Sequence, residues 1–405
     1  MRQTILASGL AATALLWLGS GARADYLEAS RAATIKATPL GSATVLLHVA
    51  VGEKFALIEN PDRVSDQVGG YYEVRLPDGT GTGWIYRTFV RRHTGDMPGA
   101  TGPSNTSTAG GNLEVHIIDV GQGDAILIRC PDGNHQMLID SGDTRYPGSA
   151  DHFKSYLSAI QPLNDPIEVV VASHPHADHI GNMDWVLDTY QVGLYVDDGV
   201  TQNTQVFNRT EAAFNRRHPR YWDAQDDVPP DITFCTRPDV RARVLRPQGF
   251  GHDGNPNNNS VVIRIDYGTK SFLFMGDAEV AEEQELEQDP VTRPLLDCDF
   301  LKASHHGSDT SSSKALLDLV TPELASISCG AEGVSTNATY MHPRLSTVKE
   351  LLGRVGPRQG PPVTLQAYSK DAAQWKPITL DRAVYVTVAQ GNLVFECDGA
   401  QIRKR

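Results

Sequence analysis

The hexapeptide His-Pro-His-Ala-Asp-His has the residue types and spacing of a metal-binding site. It directly follows residues 167–172, a mostly apolar run that predicts a buried strand. Imidazole and carboxylate groups are the ligands that Zn²⁺ and similar ions take. With 13 histidines in 405 residues, chance or simple capping of a strand end is a poor explanation for this density. The sequence therefore predicts a site for one ion or a pair of ions at His174, His176, Asp178 and His179.

Two later segments supply further candidate ligands. Asp277 ends the apolar run Ser-Phe-Leu-Phe-Met-Gly-Asp, and His305 and His306 follow another short apolar run. Considered without the hexapeptide, Asp277 would be interpreted as a turn residue after a strand. Because rigid strands bring their end loops to one rim, the hexapeptide upstream favours a ligand role for Asp277 instead.

The elements that must position these residues begin at residue 113. Short apolar strands alternate with helices, a pattern typical of an α/β fold. Two β-rich halves, each with helices, predict a four-layer α/β/β/α sandwich. The predicted helices cover 151–159, 182–190 and 312–319, a strand covers 324–328, and closing β structure covers 364–367 and 383–396.

The residues before 113 have a different composition. Residues 25–92 contain short alternating runs broken by Gly and Asn-Pro, which predicts a small all-β domain. Residues 93–112 are rich in Thr, Gly, Ser, Pro and Asn and predict a flexible linker. The second predicted domain is then 113–405.

The first 24 residues have the three parts of a secretory signal: a charged start, an apolar run and Ala-Arg-Ala before the expected cleavage. A membrane anchor is the alternative, but the run is shorter than the ~20 residues that a spanning helix needs. We expect a periplasmic or secreted mature protein with no membrane span. The five cysteines could pair in such a compartment, and their odd number leaves at least one thiol outside an intramolecular disulfide.

The net charge of −13 repels phosphate backbones on average, although a local patch can override that repulsion. Residues 214–222, Phe-Asn-Arg-Arg-His-Pro-Arg-Tyr-Trp, interleave basic and aromatic side chains. Such a patch suits a base stacked beside a phosphate, and a solvated amphipathic helix is an equal alternative. If the patch binds substrate, the substrate is a phosphodiester or another anion.

Three motifs in order, HPHADHIGN, FMGDAE and LKASHHGS, resemble those of the metallo-β-lactamase-fold hydrolases. The opening IIDVGQGDAILI with LIDSGD resembles one branch, the ComEC-type soluble hydrolase domain at the end of the DNA-uptake channel protein of competence. This resemblance covers about residues 113–399. It implies the four-layer metallo-β-lactamase sandwich and two divalent metal ions, with Zn²⁺ favoured and Mn²⁺ as the alternative.

Residues 69–90 resemble the end of a bacterial SH3-like (SH3b) domain, with a wide hairpin and a Gly-Trp step. The resemblance implies a small SH3-like barrel and contact with cell-wall peptides or with the neighbouring catalytic domain. Tyr71, Tyr72 and Trp84 are more consistent with the core of such a barrel than with a binding groove.

The metallo-β-lactamase resemblance also implies roles for single residues. His174 and His176 bind the first ion, Asp178 and His179 bind the second, and Asp277 bridges both. One of His305 and His306 supplies a further ligand; we favour His305, which leaves His306 as a catalytic residue that orients a ligand or contacts substrate.

The third ligand of the first ion departs from the family pattern. The preceding segment contains His252, Asn258 and Asn259 where many family members have a histidine. His252, a side-chain amide or water therefore completes this site.

Four further assignments depend on the same resemblance or on position. Asp178 also accepts a proton from the attacking water. Asp140 either holds a ligand histidine in the right tautomer or caps a strand. His342 is a candidate catalytic residue for the leaving group or phosphate, with a structural turn as the alternative, and Lys302 either offers charge to an oxyanion or is solvated.

The favoured function is an exported dinuclear-metal hydrolase, a phosphodiesterase or nuclease that uses a metal-activated hydroxide. A lactonase or β-lactamase would keep the metals and change the bond. A catalytically silent cell-wall-binding protein is the third alternative, because the third ligand of the first ion departs from the family pattern.

Overall fold

The structure is a computed structural model that describes residues 26–31, 33–39, 43, 45–50, 52–57, 67–68, 71–75, 82–93, 111–163, 165–224, 231–245 and 254–405. The signal sequence predicted for 1–24, nearly all of the predicted linker and His252 lie outside these residues. The chain divides into two compact units, Met1–Ser107 and Thr108–Arg405.

The first unit is built from two small antiparallel sheets, ordered β4-β1-β8 and β3-β2-β7-β6-β5. Strands β6 and β7 pair from Tyr71 opposite Tyr86 to Arg75 opposite Thr82. Tyr71 and Trp84 are each only 9% exposed, in line with core positions, while Tyr72 is half-buried. A small β domain is therefore confirmed, and its SH3-like identity stays a prediction. The strands are β1 Tyr26–Ala29, β2 Ala33–Lys36, β3 Val45–Val49, β4 Lys54–Ala56, β5 Gln67–Val68, β6 Tyr71–Arg75, β7 Thr82–Tyr86 and β8 Val90–His93.

The second unit alternates strands and helices. Its strands are β9 Leu113–Ile117, β10 Ile126–Arg129, β11 Gln136–Ile139, β12 Ile167–Val171, β13 Val192–Asp197, β14 Arg220–Asp223, β15 Asp231–Ile232, β16 Val240–Leu245, β17 Val262–Tyr267, β18 Lys270–Phe274, β19 Phe300–Lys302, β20 Leu324–Ile327, β21 Val363–Ser369, β22 Gln374–Leu380, β23 Val384–Val386, β24 Leu393–Cys397 and β25 Ile402–Lys404. Its helices are α1 Ser149–Ile160, α2 Ala177–Ile180, α3 Met183–Thr189, α4 Gln205–Arg217, α5 Val280–Gln288, α6 Lys314–Val320, α7 Asn337–Tyr340, α8 Leu345–Leu352 and α9 Thr387–Gln390.

Two large sheets form the centre of this unit. One has the order β14-β13-β12-β11-β10-β9-β24-β25, and the other has the order β15-β16-β17-β18-β19-β20-β23. In each sheet the strands nearest the candidate ligands are parallel: β11 to β14 in the first, and β18, β19, β20 and β23 in the second.

The core confirms the four-layer α/β/β/α arrangement. Apolar side chains from both sheets, such as Val169 and Phe272, belong to one continuous buried cluster. The opposite face of the first sheet is covered by helices, with Phe153 of α1 and Met183 of α3 packed against strand residues such as Val170. Because both faces of the inner parallel strands are buried, strands such as β20 and β23 have buried residues at every position instead of alternating.

The closing segment differs from its prediction. Residues 383–396 were expected to be continuous β structure, but α9 separates β23 from β24. The reason is topological: β23 belongs to the second large sheet and β24 to the first, so the chain must cross between layers. Residues 364–367 lie in β21, which pairs with β22 alone in a separate hairpin.

Cysteine pairing, which the sequence left open, follows from the fold. Cys130 and Cys235 form a disulfide across 105 residues of sequence. Cys298, Cys329 and Cys397 are free thiols, and all three are buried. Among the described residues, no helix combines the length and apolar character needed to cross a membrane.

Candidate metal centre

The candidate ligands come together because each follows a parallel strand. Asp140 follows β11, the hexapeptide follows β12, Asp277 follows β18, and His305 and His306 follow β19. Carboxyl ends of parallel strands lie at one edge of their sheet. The distances below show that residues following these strand ends in both sheets meet in one site. Residues more than 100 positions apart in sequence therefore meet in one buried site.

Four of these residues, Asp178, His179, Asp277 and His306, form what we call the second-ion group. One ligand atom from each lies within 4.8 Å of all the others. The Asp277 carboxylate oxygen Oδ2 is 3.2 Å from His179 Nε2 and 3.5 Å from His306 Nε2. Asp178 Oδ2 is 3.5 Å from His306 Nε2. Two imidazoles and two carboxylates at this spacing can hold a divalent cation.

Asp140 fixes the orientation of His179. His179 Nδ1 donates to Asp140 Oδ2 at 2.7 Å, so Nε2 faces Asp277 without a proton in the metal-bound form. Ser173 donates to the same carboxylate through its backbone N–H and its hydroxyl, each at 2.7 Å. Asp140 has φ 60°, a left-handed conformation that Asp and Asn tolerate better than most residues. These contacts support the orienting role over a plain strand cap.

His306 is oriented by the backbone. Its Nδ1 donates to the carbonyl oxygen of Ser328 at 3.1 Å, which directs Nε2 towards Asp178 and Asp277. His306 is 1% exposed. Its backbone is left-handed, with φ 54°, and this turn after β19 aims the ring into the site.

The second-ion group contains buried polar atoms that lack hydrogen-bond partners and could bind a metal ion. His179 Nε2, His306 Nε2 and Asp277 Oδ1 are buried and have no hydrogen-bond partner. Without a proton or a cation between them, the two nitrogens and the carboxylate oxygen lack hydrogen bonds in this small buried volume, which is costly for a folded protein. A divalent cation coordinated there satisfies them, and nitrogen and carboxylate oxygen are the donor types it requires.

The charged groups of the second-ion group shift one another's pKa values. Burial lowers the pKa of His306, but the carboxylates of Asp277 and Asp178 outweigh burial and raise that pKa to about 10. Burial acts in the same way on His179, and Asp277 and Asp140 raise its pKa well above the ordinary value. Burial raises the pKa of Asp178 and Asp277, yet the neighbouring histidines hold both below the ordinary range. Without metal, protons on the imidazoles therefore occupy the place that a cation would take.

His174 and His176 form what we call the first-ion pair. His174 Nε2 and His176 Nδ1 point at each other across 3.0 Å, and His174 Nε2 is 3.8 Å from Asp277 Oδ2. Burial lowers the pKa of both imidazoles, that of His174 further because His179 is close. Two neutral imidazoles with converging nitrogens, beside the carboxylate that also serves the second group, match a dinuclear arrangement.

Several candidates remain for the third ligand of the first ion. His252 is outside the described residues. Asn258 is buried, and its side-chain oxygen accepts from the backbone N–H groups of Glu279 and Glu282. That oxygen is therefore engaged within the protein, which leaves His252, Asn259 or water as candidates.

The structure places His306, and not the favoured His305, in the second-ion group. His305 Nε2 is 3.7 Å from Asp277 Oδ2, but its Nδ1 lies 3.1 Å from Glu279 Oε1 and 3.3 Å from the hydroxyl of Thr310. Its side chain is 18% exposed, whereas that of His306 is 1% exposed. The physical reason is the left-handed turn after β19, which sends the second histidine inward.

His342 lines the site without belonging to the ligand set. Its ring centroid is 5.2 Å from that of His305 and 6.2 Å from that of His306. The side-chain nitrogen of Gln122 lies 3.3 Å from His342 Nδ1, while the Gln122 oxygen accepts from the N–H of Gly330. His342 Nδ1 is therefore an acceptor and Nε2 carries the proton. Burial, with His306 and His305 nearby, lowers the pKa of His342 to about 2.

Asp124 is a buried acidic residue beside the site that sequence reasoning did not single out. Lys302 Nζ donates to the Asp124 carboxylate at 2.9 Å, and Asp124 N donates to the carbonyl of Asp178 at 3.1 Å. Lys302 is fully buried, so the expectation that it is solvated is wrong. Gly123 permits this close approach, because a Cβ at that position would collide with the Asp178 carbonyl oxygen.

The basic and aromatic stretch at 214–222 does not form one interleaved surface. Arg216 is paired with Asp188 at 2.6 Å on the outside of α4. Phe214 and Tyr221 instead line a cavity beside the metal-binding loop, and Trp222 packs against the main core.

Comparison with known families agrees with this geometry. The family model described as the Metallo-beta-lactamase superfamily matches residues 118–330, more than half of the chain. That range includes the hexapeptide, Asp277 and both histidines after β19.

Similar proteins include two competence or recombination proteins. ComE operon protein 3 of Bacillus subtilis is 27% identical over 253 residues, which are 60% of this chain and 30% of that protein. Recombination protein 2 of Haemophilus influenzae is 29% identical over 223 residues, 54% of this chain and 24% of that protein. The chain thus spans less than a third of the length of these relatives.

Among solved structures, the metallo-beta-lactamase fold protein YhfI from Bacillus subtilis is 13% identical, covers 70% of this chain and 99% of its own, and has a TM-score of 0.41. The match over residues 118–330 identifies the family, and the ligand geometry agrees with it. The chain belongs to the metallo-beta-lactamase superfamily.

Proposed function

We propose that the protein is an exported phosphodiesterase that uses two divalent metal ions and acts on DNA or another phosphodiester. One observation carries the two-metal part: the unpartnered, buried atoms His179 Nε2, His306 Nε2 and Asp277 Oδ1, next to the converging nitrogens of the first-ion pair. Zn²⁺ is the favoured ion and Mn²⁺ the alternative, since a mixed nitrogen and oxygen shell accepts both.

The choice of a phosphodiester is supported by the relatives. Recombination protein 2 is named for recombination, a process that handles DNA. The acidic net charge of −13 argues against tight, sequence-independent binding of long nucleic acid, so we expect a short contact around the scissile phosphate.

Two divalent ions in this site would supply Lewis acidity and an ionised water near neutral pH. Asp178 stays ionised at neutral pH, because His306 and His179 hold its pKa low, and we assign it to accept a proton from the attacking water. His342 is neutral at that pH, and we assign its Nε2–H to donate a hydrogen bond to a phosphoryl or leaving-group oxygen. Asp140 and the Ser328 carbonyl keep His179 and His306 in the orientation that ligation needs.

The test is metal analysis of the mature protein followed by a substrate panel. The panel contains single-stranded DNA, bis-p-nitrophenyl phosphate, a phosphomonoester, nitrocefin and an acyl-homoserine lactone. We expect about two ions per chain and turnover of the phosphodiesters, lost in Asp178→Asn. Asp184→Asn is a matched control, since Asp184 is a partly exposed carboxylate on α3 paired with Arg209.

Each contrary result has a definite reading. A metal-loaded protein that turns over nitrocefin or the lactone, and neither phosphodiester, is a lactam or lactone hydrolase. A protein that turns over nothing in the panel and retains peptidoglycan binding in His176→Ala is a silent wall-binding protein.

Export and wall contact are a separate part of the proposal. The predicted signal sequence and the Cys130–Cys235 disulfide support an oxidising compartment. We expect the mature chain to begin at Asp25, which mass spectrometry of protein from a periplasmic or culture fraction measures directly. Peptidoglycan pull-down with residues 25–92 fused to a carrier tests the SH3-like contact, and no retention there would remove it.

A further inference from the structure

A cavity of about 230 Å³ lies beside the metal-binding loop. His174 and Pro175 of that loop form part of its lining, and the remainder comes from the end of β13, from α4 and from β14. A group bound in the cavity would therefore sit next to the first-ion pair. The residues assigned to the reaction do not use this space.

Aromatic rings form one side of the cavity. Tyr195, Phe214 and Tyr221 all line it. Their ring centroids are 5.6 Å apart for Tyr195 and Phe214, and 5.4 Å apart for Phe214 and Tyr221. Such a cluster offers faces and edges that pack against a flat ring.

The polar side of the cavity is acidic. Asp197, Asp198 and Glu211 line it, and no Lys or Arg does so among the residues that the structure describes. The Tyr221 hydroxyl donates to Asp197 Oδ1 at 2.8 Å, which ties the aromatic side to the acidic side. Carboxylates repel a phosphate and accept hydrogen bonds from N–H groups, so this cavity suits a different part of the substrate from the one at the metals.

Burial of these carboxylates points to a hydrogen-bond-donating ligand. Asp198 is 2% exposed, and burial, followed by the nearby Asp197, raises its pKa well above the ordinary value. Burial also raises the pKa of Asp197. The backbone N–H of Gly199 donates to Asp197 Oδ1 at 2.9 Å, and that of Val200 donates to Asp198 Oδ1 at 3.2 Å. A ligand that donates further hydrogen bonds would add to this stabilisation of the charged carboxylates.

We propose that this cavity is a nucleobase subsite that selects bases with an exocyclic amino group, adenine, cytosine or guanine, over thymine and uracil. The inference rests on the proposed phosphodiesterase function, because a nucleoside joined to the scissile phosphate brings its base next to the metals. The aromatic rings pack against the base, and Asp197 and Asp198 accept from its amino group. Thymine and uracil instead present a ring N–H between two carbonyl oxygens, and the carboxylates repel those oxygens.

The direct test measures nucleoside binding to the metal-free protein by calorimetry or ligand-observed NMR. Cytidine and uridine are a matched pair, since they differ at the amino group and its neighbouring ring nitrogen. We expect cytidine to bind roughly tenfold more tightly, the size expected for a hydrogen bond to a carboxylate. Asp197→Asn and Asp198→Asn should remove most of that preference. Asp188→Asn is the control, since Asp188 pairs with Arg216 outside the cavity.

Glu211→Gln guards against variants that fail to fold, because Glu211 is exposed on α4 and also lines the cavity. A reduced cytidine preference in this variant supports the subsite. Equal binding of cytidine and uridine by the wild-type protein overturns it. Binding of tetramethylammonium without binding of either nucleoside also overturns it, because the cavity would then take a simple cation.

An activity measurement separates this inference from the proposed function. Metal-loaded wild-type protein is assayed on bis-p-nitrophenyl phosphate, which has no base, and on the p-nitrophenyl esters of cytidine and uridine 5′-monophosphate. Turnover of all three with equal kcat/KM for the two nucleotide esters overturns the subsite alone. Cytidine binding in a protein that hydrolyses no phosphodiester supports the subsite and overturns the proposed function.

Discussion

The second-ion group and the first-ion pair differ in how completely the protein holds them. In the second-ion group, His179 is fixed by Asp140 and His306 by the Ser328 carbonyl, and both imidazoles are buried. In the first-ion pair, the Ser173 hydroxyl lies 3.1 Å from His174 Nδ1, whereas His176 is only partly buried. His174 Nε2 of this pair lies 3.8 Å from Oδ2 of Asp277, the carboxylate that both halves share.

The difference indicates that the second-ion group is preorganised for metal binding. The first-ion pair needs a further ligand to complete its site. Orienting partners fix tautomer and ring direction before the metal arrives, which lowers the cost of binding. We therefore expect tighter binding in the second-ion group than at the first-ion pair. The following predictions test that ranking, from the largest effect to the smallest.

Asp277→Asn should abolish both sites. Asp277 Oδ2 faces His179, His306 and His174, so its loss removes the shared carboxylate and leaves the imidazoles facing one another. We expect more than 100-fold loss of metal affinity, beyond the range seen for orienting residues. Elemental analysis after dialysis measures it, with circular dichroism to check the fold and Asp184→Asn as the control. Retention of two ions would remove Asp277 from the shared position.

Single-histidine variants should separate the two halves. His306→Ala should lose the ion of the second-ion group, and His176→Ala should lose the first ion and keep the second. His305→Ala should keep two ions, since its Nδ1 faces Glu279 and Thr310. Metal stoichiometry by elemental analysis distinguishes them. Loss of an ion in His305→Ala, with two retained in His306→Ala, would reverse the assignment made from the structure.

Asp140→Asn should weaken the second-ion group without removing a ligand. Asn suits the left-handed backbone at this position, but it does not provide the carboxylate that holds the proton on His179 Nδ1. We expect about 10- to 100-fold weaker binding of one ion. A competition titration with a chelating dye measures both affinities. Equal weakening at both ions would contradict the separation of the two halves.

The two halves should also respond differently to pH. His306 has a pKa of about 10 without metal, and that of His179 is also raised, so both are protonated at neutral pH. Metal must displace these protons, and its affinity for this group should rise about tenfold per pH unit for each proton released. His174 and His176 have lowered pKa values and are already neutral, so the first ion should change little.

Calorimetry in buffers of different ionisation enthalpy counts the released protons between pH 6 and pH 9. His306→Ala should release fewer protons than the wild-type protein, while Asp184→Asn should release the same number. Proton release that is equal at both ions would show that the carboxylates do not hold the imidazoles protonated.

Much of the fold was predictable because local patterns and layer architecture agree. The predicted helix at 151–159 lies within α1, and the strand at 324–328 matches β20 closely. The failure at 383–396 has a physical cause, since alternating apolar residues suit a strand in either sheet. Local pattern does not reveal that the chain leaves one sheet and enters the other.

The sequence predicted which residues form the site better than it predicted the directions of their side chains. Adjacent His305 and His306 are identical in type, and only the left-handed turn after β19 decides which one enters the second-ion group. Likewise, Lys302 is a strand lysine in sequence, but its partner Asp124 is 178 residues away. A charge buried by a distant partner leaves no signal in the residues beside it.

The sequence by itself determined the donor set, because three histidines and an aspartate in six residues, with Asp277 and a histidine pair downstream, serve metal ligation better than any structural purpose. The tertiary structure decided which atoms converge, that Asp140 orients His179, and that an acidic, aromatic cavity lies beside the loop. The physical reason is that residue type is local information. The direction, burial and pKa of each ligand side chain depend on its neighbours at the carboxyl ends of other strands, and only the packed sheets bring these ends together.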